Sequence, residues 1–449
     1  MSDPLQMKPK SQLSDEERVR DFQRKLYLKA KQEVKFRFYA LYDKIYLPYV
    51  LREAYSRCRK NKGAPGIDGK TFDVIEAEGV CEFLKGIEQE LKAQKYKPNM
   101  VKRVYIPKAN GKMRPLGIPT IKDRVVQMAC KMIIEPVFEA DFEDESYGFR
   151  PRKSAQDAIA KIKKNLTEGL EDIFDADLSA YFDTIPHKEL VTLVGLRISD
   201  LKILHLIKMW LKAPVWEDGK IGGGKKNKVG TPQGGVISPL LANIYLHILD
   251  KAVKRIGGQF HRYGIRIVRY ADDFVLMAKT MAKESLEYLE KMLEKMKLQL
   301  NTEKSRILNA ETEAFNFLGF TFRYDRDLHG RNTKYLNVIP GKKAEQKVRE
   351  KIDVYLKSNG HRPPIIIVNE LNAIIRGWIN YFSIPGVSYP QKAKRNLRFY
   401  LMDKLYRYYR RKSQRKCKLY NHGAFEVLHK KYGLIDPSKY IPNPAPVNA

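Results

Sequence analysis

Two short apolar runs, residues 265–269 and 274–278, flank the tetrapeptide Tyr270-Ala271-Asp272-Asp273. Both runs are rich in β-branched or bulky side chains, as strands are. The pattern predicts a β-hairpin whose tight turn carries two adjacent aspartates. Because neighbouring carboxylates repel each other, such a turn favours a bound divalent cation with oxygen ligands. Taken alone, an Asp-Asp turn without function is the simpler interpretation, since aspartate is common in turns.

A second apolar run ends in carboxylates in the same way. Ile173 and Phe174 precede Asp175 and Asp177. A strand-end aspartate beside a hairpin Asp-Asp pair brings three carboxylates together. In polymerases and nucleases such a cluster holds two Mg²⁺ ions roughly 3.5–4 Å apart. The two segments together therefore favour a metal site over a solvated turn.

A strand–turn–strand pattern covers residues 104–119. Asn110-Gly111 between two apolar runs is the strongest short hairpin signal. Lys108 and Arg114 flank this turn, and arginine suits phosphate because its planar fork donates two hydrogen bonds at once. A surface hairpin with ordinary charges is the alternative interpretation.

Helical patterns fill much of the remaining chain. Ser14 and the acidic residues after it form an N-cap signal, and helix formers continue to about Cys58. A helix is also predicted from Lys122 to Phe138, and Ser154 begins another through a capping pattern. Ser238 is predicted to cap a helix with Pro239 in its first turn.

The C-terminal part contains long basic helices with apolar stripes. One stripe repeats at helical spacing between Leu371 and Phe382, which core packing explains without any function. The next predicted helix, within residues 395–418, is dense in Arg, Lys and Tyr. Its leucines can face a core, which leaves four arginines for phosphates. These are Arg398, Arg407, Arg410 and Arg411.

Taken in chain order, these segments resemble the motifs of reverse transcriptases. Residues 174–183 resemble their first catalytic motif, and Tyr270 to Asp273 resembles their metal-binding hairpin. Residues 230–243, beginning Gly-Thr-Pro-Gln-Gly-Gly, resemble the group II intron-encoded reverse transcriptases in particular. The match extends roughly from residue 50 to residue 415. It implies an α+β fold, a right-hand polymerase whose fingers and palm contain antiparallel sheet, followed by an α-helical thumb or maturase domain.

The resemblance implies roles for individual residues. The catalytic and metal-binding positions are Asp177, Leu178 (through its carbonyl), Asp272 and Asp273, with two Mg²⁺ ions, for which Mn²⁺ is a possible substitute. The positions for the incoming nucleotide are Lys108, Arg114, Ala180, Tyr181, Phe182 and Gln233. Phe182 would exclude a ribose 2′-hydroxyl. The nucleic-acid-binding positions are Arg150, Gly234, Lys304, Gly319, Arg407, Arg410 and Arg411, although Arg150 fits a structural role equally well.

The implied domain organisation has four parts. Residues 1–60 form a basic helical N-terminal extension and residues 61–325 the fingers and palm. Residues 326–418 form the thumb or maturase domain, and residues 419–449 a C-terminal tail. The resemblance assigns the extension to gripping RNA, while a solvated helix face explains its pattern equally well. No paired His or Cys cluster follows residue 418, so we expect no endonuclease domain.

Composition supports a polyanionic partner. The 449-residue chain carries 84 Lys plus Arg against 52 Asp plus Glu, a net charge of +32, and the basic residues recur along its whole length. Its four cysteines lie far apart, which argues against zinc knuckles and a disulfide framework. We therefore expect a cytoplasmic protein associated with nucleic acid, and the resemblance implies a bacterial one. No apolar window reaches the length of a membrane span, so no membrane partner is expected.

Three functions stay open at this level. The leading one is an RNA-directed DNA polymerase that uses deoxynucleoside triphosphates, a DNA primer or target DNA, and group II intron RNA or another RNA template, and that assists splicing and retrohoming. A second is an RNA-splicing factor without catalysis, against which the intact carboxylates argue. A third is a domesticated relative in phage defence, spacer acquisition or DNA repair.

We expect affinity for RNA to fall steeply with salt, because the +32 charge implies many phosphate contacts. Each neutralised phosphate contributes about 0.7 to 0.9 to the slope of log affinity against log salt concentration. Fluorescence anisotropy of a labelled RNA, titrated between about 50 and 200 mM salt, measures that slope. An affinity that stays flat over this interval contradicts the prediction.

Overall fold

The computed structural model describes residues 13–107, 111, 113–224, 227–231, 234–326, 334–359, 362–411 and 423–442. The helices are α1 (Asp15–Gln32), α2 (Tyr42–Ile45), α3 (Pro48–Lys60), α4 (Phe72–Glu78), α5 (Val80–Lys92), α6 (Ile121–Glu139), α7 (Ala155–Thr167), α8 (Tyr181–Thr184), α9 (His187–Gly195), α10 (Leu201–Leu211), α11 (Ser238–Lys254), α12 (Gln259–Arg262), α13 (Lys283–Lys295), α14 (Lys342–Ser358), α15 (Pro364–Phe382), α16 (Gln391–Arg411) and α17 (Ala424–Tyr432). The strands are β1 (Val101–Pro107), β2 (Met113–Ile118), β3 (Asp172–Ala176), β4 (Pro214–Glu217), β5 (Lys220–Gly223), β6 (Arg266–Tyr270), β7 (Asp273–Ala278), β8 (Arg306–Asn309), β9 (Phe315–Phe317), β10 (Phe320–Arg326) and β11 (Lys334–Pro340).

A four-stranded antiparallel sheet, in the order β6-β7-β3-β8, carries both aspartate segments. Tyr270 pairs with Asp273 across the predicted hairpin, so the hairpin is confirmed. Both faces of this sheet are covered. Ile173 faces one apolar core and Phe174 faces another, and Val275 and Leu276 alternate in the same way. Because both faces are buried, the strand sequences are continuous apolar runs and do not alternate between apolar and polar residues.

A second sheet, in the order β2-β1-β4-β5, contains the other predicted hairpin. Strands β1 and β2 are antiparallel neighbours, as the Asn-Gly signal predicts, while residues 108–110 and 112 of their connection lie outside the described residues. Strand β4 joins β1 in parallel through Val101 and Val215, and it forms a second hairpin with β5. The sequence analysis did not predict that second hairpin. A third sheet has the order β11-β10-β9.

Three apolar cores organise the described residues. The first packs α1 to α6 and α9 to α13 against one face of the sheet β6-β7-β3-β8, which we call the central sheet. The second joins the opposite face to α7, the third sheet and the end of α15. The third lies among α14, α15, α16 and α17. The C-terminal helices therefore have a core of their own, whereas the N-terminal helices share one with the sheet that carries the aspartate segments.

The predicted run of helix formers from Ser14 to about Cys58 folds as three separate helices. Its start is confirmed, because Ser14 and Glu17 form a capping box. Helix α1 ends at Gln32, and α2 and α3 follow. The residues between them are held by distant groups. Phe38 exchanges backbone hydrogen bonds with the segment 197–200, which no local pattern announces.

Other helix starts agree in part with the sequence patterns. Ser154 forms the predicted capping box with Asp157 at the start of α7. Helix α6 covers the predicted stretch. The prediction that Ser238 caps α11 was wrong, because Ile237 occupies the N-cap position and Ser238 is the first helical residue. None of the helices in the described ranges combines the length and apolar character that a membrane span needs.

Asp200 is expected to contribute strongly to stability. Its buried carboxylate accepts hydrogen bonds from Leu41 N and Tyr42 N at 2.9 and 2.8 Å, and it also caps α10 through Lys202 N at 3.0 Å. Asp200→Ala leaves these buried donors unpaired, so we expect a loss of about 2–4 kcal/mol in the free energy of unfolding. Urea denaturation measures this loss.

The control is Ser14→Ala, which removes an exposed cap from α1. That change is expected to cost about 1 kcal/mol. Equal losses in the two variants would mean that Asp200 acts as an ordinary helix cap and does not tie the N-terminal segment to α10.

Candidate active site

The two aspartate segments meet at one end of the central sheet. Strand β3 ends at Ala176, which lies opposite Phe274 of β7. The next position on each strand is an aspartate, Asp177 after β3 and Asp273 at the start of β7. Asp272 lies in the turn between β6 and β7. Antiparallel register thus brings Asp177 and Asp273 to the same end of the sheet, with Asp272 in the adjoining turn.

The backbone around Asp177 is held by residues 299–305. Asn301 N donates to the Asp177 carbonyl at 2.8 Å, and Ser179 N donates to Gln299 O at 2.9 Å. Leu178 and Leu300 form an isolated antiparallel bridge between these bonds. This pairing fixes the direction in which the chain leaves β3, and with it the position of the Asp177 side chain.

The Asp177 carboxylate has two direct side-chain partners. Its Oδ2 atom accepts from Lys304 Nζ at 2.8 Å and from Asn301 Nδ2 at 3.0 Å. Lys304 was predicted to contact nucleic acid, and here its exposed ammonium pairs with a catalytic-site carboxylate. A cation that binds this oxygen must therefore compete with the lysine for it.

Electrostatics show a shortage of positive charge around the hairpin. Burial, with the charges of Asp272, Asp177 and Asp175, raises the pKa of Asp273 to about 6. Burial also raises the pKa of Asp272, with a further rise from Asp177, while Arg114 of β2 opposes the shift. These effects fit a site that takes up a cation. Within the described part of the chain, no three carboxylate, His or Cys side chains converge as a preformed metal site.

A fully buried arginine lies directly behind the aspartate turn. All five guanidinium N–H groups of Arg269 have acceptors. Two donate to Asp250, with Nε to Oδ1 at 2.8 Å and Nη2 to Oδ2 at 2.5 Å, and another donates to Ser146 Oγ at 2.6 Å. The remaining two donate to Asn243 Oδ1 at 2.9 Å and to Ala271 O at 2.8 Å. Arg269 therefore holds the carbonyl of the turn residue that precedes Asp272.

The same turn is held from its other side by backbone contact. A Cβ atom on Gly148 would lie 2.2 Å from Ala271 N, so only glycine fits there. Asn243 Nδ2 donates to Gly148 O at 2.8 Å, which links the glycine to the arginine cluster. Ala271 itself has a φ of 59°, a left-handed conformation that neighbouring groups must maintain in a non-glycine residue.

The sequence analysis missed this buried cluster, although a signal was present. Asn243, His247 and Asp250 occupy one face of α11 at spacings of four and three residues, among buried leucines. Polar residues at core positions of a helix need partners, which is the pattern that points to a buried network.

Two described residues of the glycine-rich stretch, Thr231 and Gly234, contact distant parts of the chain. Gly234 has a φ of 104°, and a Cβ atom on it would lie 2.3 Å from Gly117 O of β2. Thr231 N donates to Phe182 O at 2.7 Å, which places this segment next to the residue five positions after Asp177. Phe182 is half-buried, and its ring packs edge-on against Tyr181 at 5.5 Å. These contacts join Thr231 to Phe182 and Gly234 to β2.

Two family models match the chain. One, described as reverse transcriptase (RNA-dependent DNA polymerase), matches residues 106–322. The other, described as the group II intron maturase-specific domain, matches residues 342–423. The first match contains the two aspartate segments and the second contains α14 to α16.

Relatives agree with both matches. Protein YkfC of Escherichia coli K12 is 35% identical over 363 residues, covering 73% of this chain and 93% of YkfC. The group II intron-encoded protein LtrA of Lactococcus lactis is 34% identical over 353 residues, covering 64% of this chain and 57% of LtrA. An uncharacterised 91 kDa protein in the cob intron of Schizosaccharomyces pombe is 27% identical, covering 74% of this chain and 49% of that protein.

This chain belongs to the group II intron-encoded reverse transcriptases. The resemblance, the polymerase fold and the RNA-directed DNA polymerase activity are thereby confirmed. A reverse transcriptase binds nucleic acid and deoxynucleoside triphosphates and depends on a divalent metal. The chain spans about half the length of LtrA and of the cob intron protein.

Several predicted site residues of this reverse transcriptase lie in or near the aspartate cluster, and others lie elsewhere. Lys108 and Gln233 lie outside the described residues, as does the side chain of Arg411. Gly319 occupies the turn between β9 and β10 with a φ of 83°. On α16, Arg410 is exposed and Arg407 is exposed beside Asp403 at 2.9 Å.

The prediction that Arg150 binds nucleic acid was wrong. Its guanidinium is buried and donates to Glu139 at 3.0 Å, to Glu143 O at 2.5 Å and to Ser146 O at 2.8 Å. It also lies over the Phe142 ring at 5.1 Å. Arg150 therefore has a structural role, because it holds the segment that contacts the aspartate turn.

The assignment of Arg398 to phosphates was also wrong. Its guanidinium pairs with Asp436 at 3.1 Å and lies 3.7 Å from Glu426. The group packs over the Phe425 ring of α17 at 5.5 Å. Arg398 therefore joins two helices of the third core.

Gly148→Ala is expected to abolish most primer extension, because the new methyl group would displace the backbone at Ala271 and with it Asp272. We expect a loss of at least about 100-fold in extension rate, as for small misplacements of catalytic groups. Single-nucleotide extension on an RNA template measures the rate, and circular dichroism measures folding.

Gly86→Ala is the matched control, since a Cβ atom on Gly86 of α5 meets nothing within 4 Å. It should leave extension unchanged and stabilise α5 by about 0.5–1 kcal/mol. Wild-type extension rates in the Gly148 variant would show that close contact with the aspartate turn is not needed.

Proposed function

We propose that this reverse transcriptase transfers nucleotides at Asp177, Asp272 and Asp273, with Mg²⁺ as its metal. The observation that carries the proposal is the register of β3 against β7, which brings these carboxylates to one sheet end. The raised pKa of Asp273 supports it, because a cation would relieve the crowding of negative charge.

The donor set fits Mg²⁺. Carboxylate oxygens are the ligands that Mg²⁺ prefers. The protein ligands would be Asp177, Asp272 and the Leu178 carbonyl, with Asp273 more peripheral. When bound, two such ions lower the pKa of the primer 3′-hydroxyl and stabilise the pyrophosphate leaving group. Mn²⁺, which takes similar oxygen ligands, is a possible substitute.

The surrounding side chains bind and orient the incoming nucleotide. Arg114 of β2 lies close enough to Asp272 to lower its pKa, which supports a role for its guanidinium in binding the nucleotide phosphates. We assign the same role to Lys108, and we assign backbone contacts to Ala180 and Tyr181. Phe182 would exclude a ribose 2′-hydroxyl.

Lys304 acquires a second role in this scheme. Its ammonium group forms a 2.8 Å ion pair with Asp177. A cation bound at the same carboxylate would release this ammonium group, which is exposed to solvent. It can then contact the phosphates of the nucleic acid, as the sequence predicts.

The C-terminal helices are proposed to bind group II intron RNA and so to assist splicing and retrohoming. The match of residues 342–423 to the maturase-specific domain supports this proposal. The exposed guanidinium groups of Arg407 and Arg410 lie on the opposite side of α16 from its buried leucines. Such a charged face suits a folded RNA surface.

Changing Asp177 or Asp272 to Ala is expected to abolish primer extension, because each change removes a metal ligand. Extension with Mg²⁺ should fall at least about 1000-fold, a loss of about 4 kcal/mol of transition-state stabilisation. Splicing of a cognate intron by the same proteins should persist. Full extension by either folded variant contradicts the site, and loss of splicing by both contradicts the separation of the two activities.

The complementary variant changes Arg407 and Arg410 together to Ala. It should weaken binding to structured intron RNA and retain extension on a short primer–template at low salt. The matched control changes Lys291 and Lys295 of α13, two exposed residues, to Ala and so removes the same charge elsewhere. Equal weakening in both double variants would indicate non-specific charge and not a maturase surface.

A further inference from the structure

The turn between β9 and β10 is held by the last residues of a helix from another part of the chain. Its two central residues, Leu318 and Gly319, have φ values of 48° and 83°. Positive φ at both positions is typical of a tight type I′ turn. Leucine tolerates this conformation poorly, so groups outside the turn must hold it.

Tyr381 of α15 supplies the most direct of these contacts. Its hydroxyl donates to Leu318 O at 3.0 Å. Its ring lies 5.7 Å from that of Phe320, the residue that follows the turn. The hydroxyl thus fixes the orientation of the turn peptide, while the ring packs on the strand that leaves it.

Phe382, the residue after Tyr381, also packs against the turn. The ring of Phe382 lies 3.5 Å from the point where a Cβ atom on Gly319 would be, and 4.8 Å from the Phe320 ring. Gly319 O accepts from Gly341 N, just before α14, at 2.8 Å. Both elements that hold the turn therefore belong to the region that matches the maturase-specific domain or border it directly.

Helix α15 connects two cores. Leu371, Ile375 and Ile379 are buried in the third core among the C-terminal helices, whereas Phe382 is buried in the second core beneath the central sheet. Trp378 contacts both. A helix of 19 residues is a rod about 28 Å long, so a shift at one end moves the other.

We propose that Tyr381 is a positioning residue for the primer strand, which fixes the Leu318–Gly319 turn from the maturase-type helix α15. The inference rests on the proposed function and on the resemblance, which assigns Gly319 to nucleic-acid binding. Through this contact the helix that packs the C-terminal core also sets the position of the primer end relative to the aspartates. RNA bound along the C-terminal helices and primer bound at the turn then act on one rigid element.

Tyr381→Phe tests the proposal, because it removes the hydroxyl and keeps the ring. We expect binding of a labelled DNA primer on an RNA template to weaken about three- to tenfold, the effect of one hydrogen bond. Fluorescence anisotropy without nucleotide measures the affinity. In steady-state extension the KM for primer–template should rise by the same factor, while the KM for deoxynucleotide stays within about twofold, since Tyr381 does not reach the nucleotide site.

The matched control is Tyr324→Phe. Tyr324 lies on β10, the strand that follows the turn, and its hydroxyl donates to Glu171 at 3.3 Å, away from the turn. Each variant loses one tyrosine hydroxyl and the hydrogen bond that it donates, so thermal stability should fall similarly in both. Only Tyr381→Phe should lose primer–template affinity.

The outcomes separate this inference from the proposed function. If wild-type protein extends primers and Tyr381→Phe binds and extends as wild type does, or if both variants lose affinity equally, the inference is overturned and the polymerase site stands. If wild-type protein binds primer–template but does not extend it, while Tyr381→Phe binds more weakly, the inference stands and the catalytic assignment fails. If wild-type protein binds no primer–template, both fail.

Discussion

The ion pair between Arg269 and Asp250 is the interaction on which the catalytic geometry depends. Both side chains are fully buried, and a buried charge is tolerated only when it is paired and fully hydrogen-bonded. Arg269 meets that condition through donors that also reach Ser146, Asn243 and the Ala271 carbonyl. The electrostatic requirement of one arginine thus joins the segment before α7, helix α11 and the aspartate turn into one rigid unit.

This rigidity matters because the carboxylates in front of it repel one another. The turn that carries Asp272 holds a left-handed Ala271, and burial, together with the carboxylates around it, raises the pKa of Asp273. Neither feature is favourable by itself. The cluster behind the turn maintains both, so the site is held ready for a cation instead of relaxing away from charge repulsion. Strain at a functional site is commonly maintained in this way by its surroundings.

The same principle links polymerisation to the C-terminal helices. A second strained turn, Leu318–Gly319, is held by Tyr381 and Phe382 at the end of α15. That helix packs in the core of the C-terminal helices over most of its length. One helix, α15, therefore contacts both the turn and the C-terminal core, although the two surfaces differ: one gathers carboxylates, and the other exposes arginines.

Much of this architecture could be predicted from the sequence. Apolar runs located the strands that end at Asp177 and Asp273, and helical spacing located the buried stripe of α15, because burial preference is a local property of each residue. Which charged side chains are buried in ion pairs and which are exposed was decided only by the tertiary structure. Arg150, Arg398 and Arg407 look alike in sequence, yet two are committed to internal carboxylates and one is exposed. A guanidinium is buried or free according to partners that other elements bring to it, such as Ser146, which lies 123 residues from Arg269.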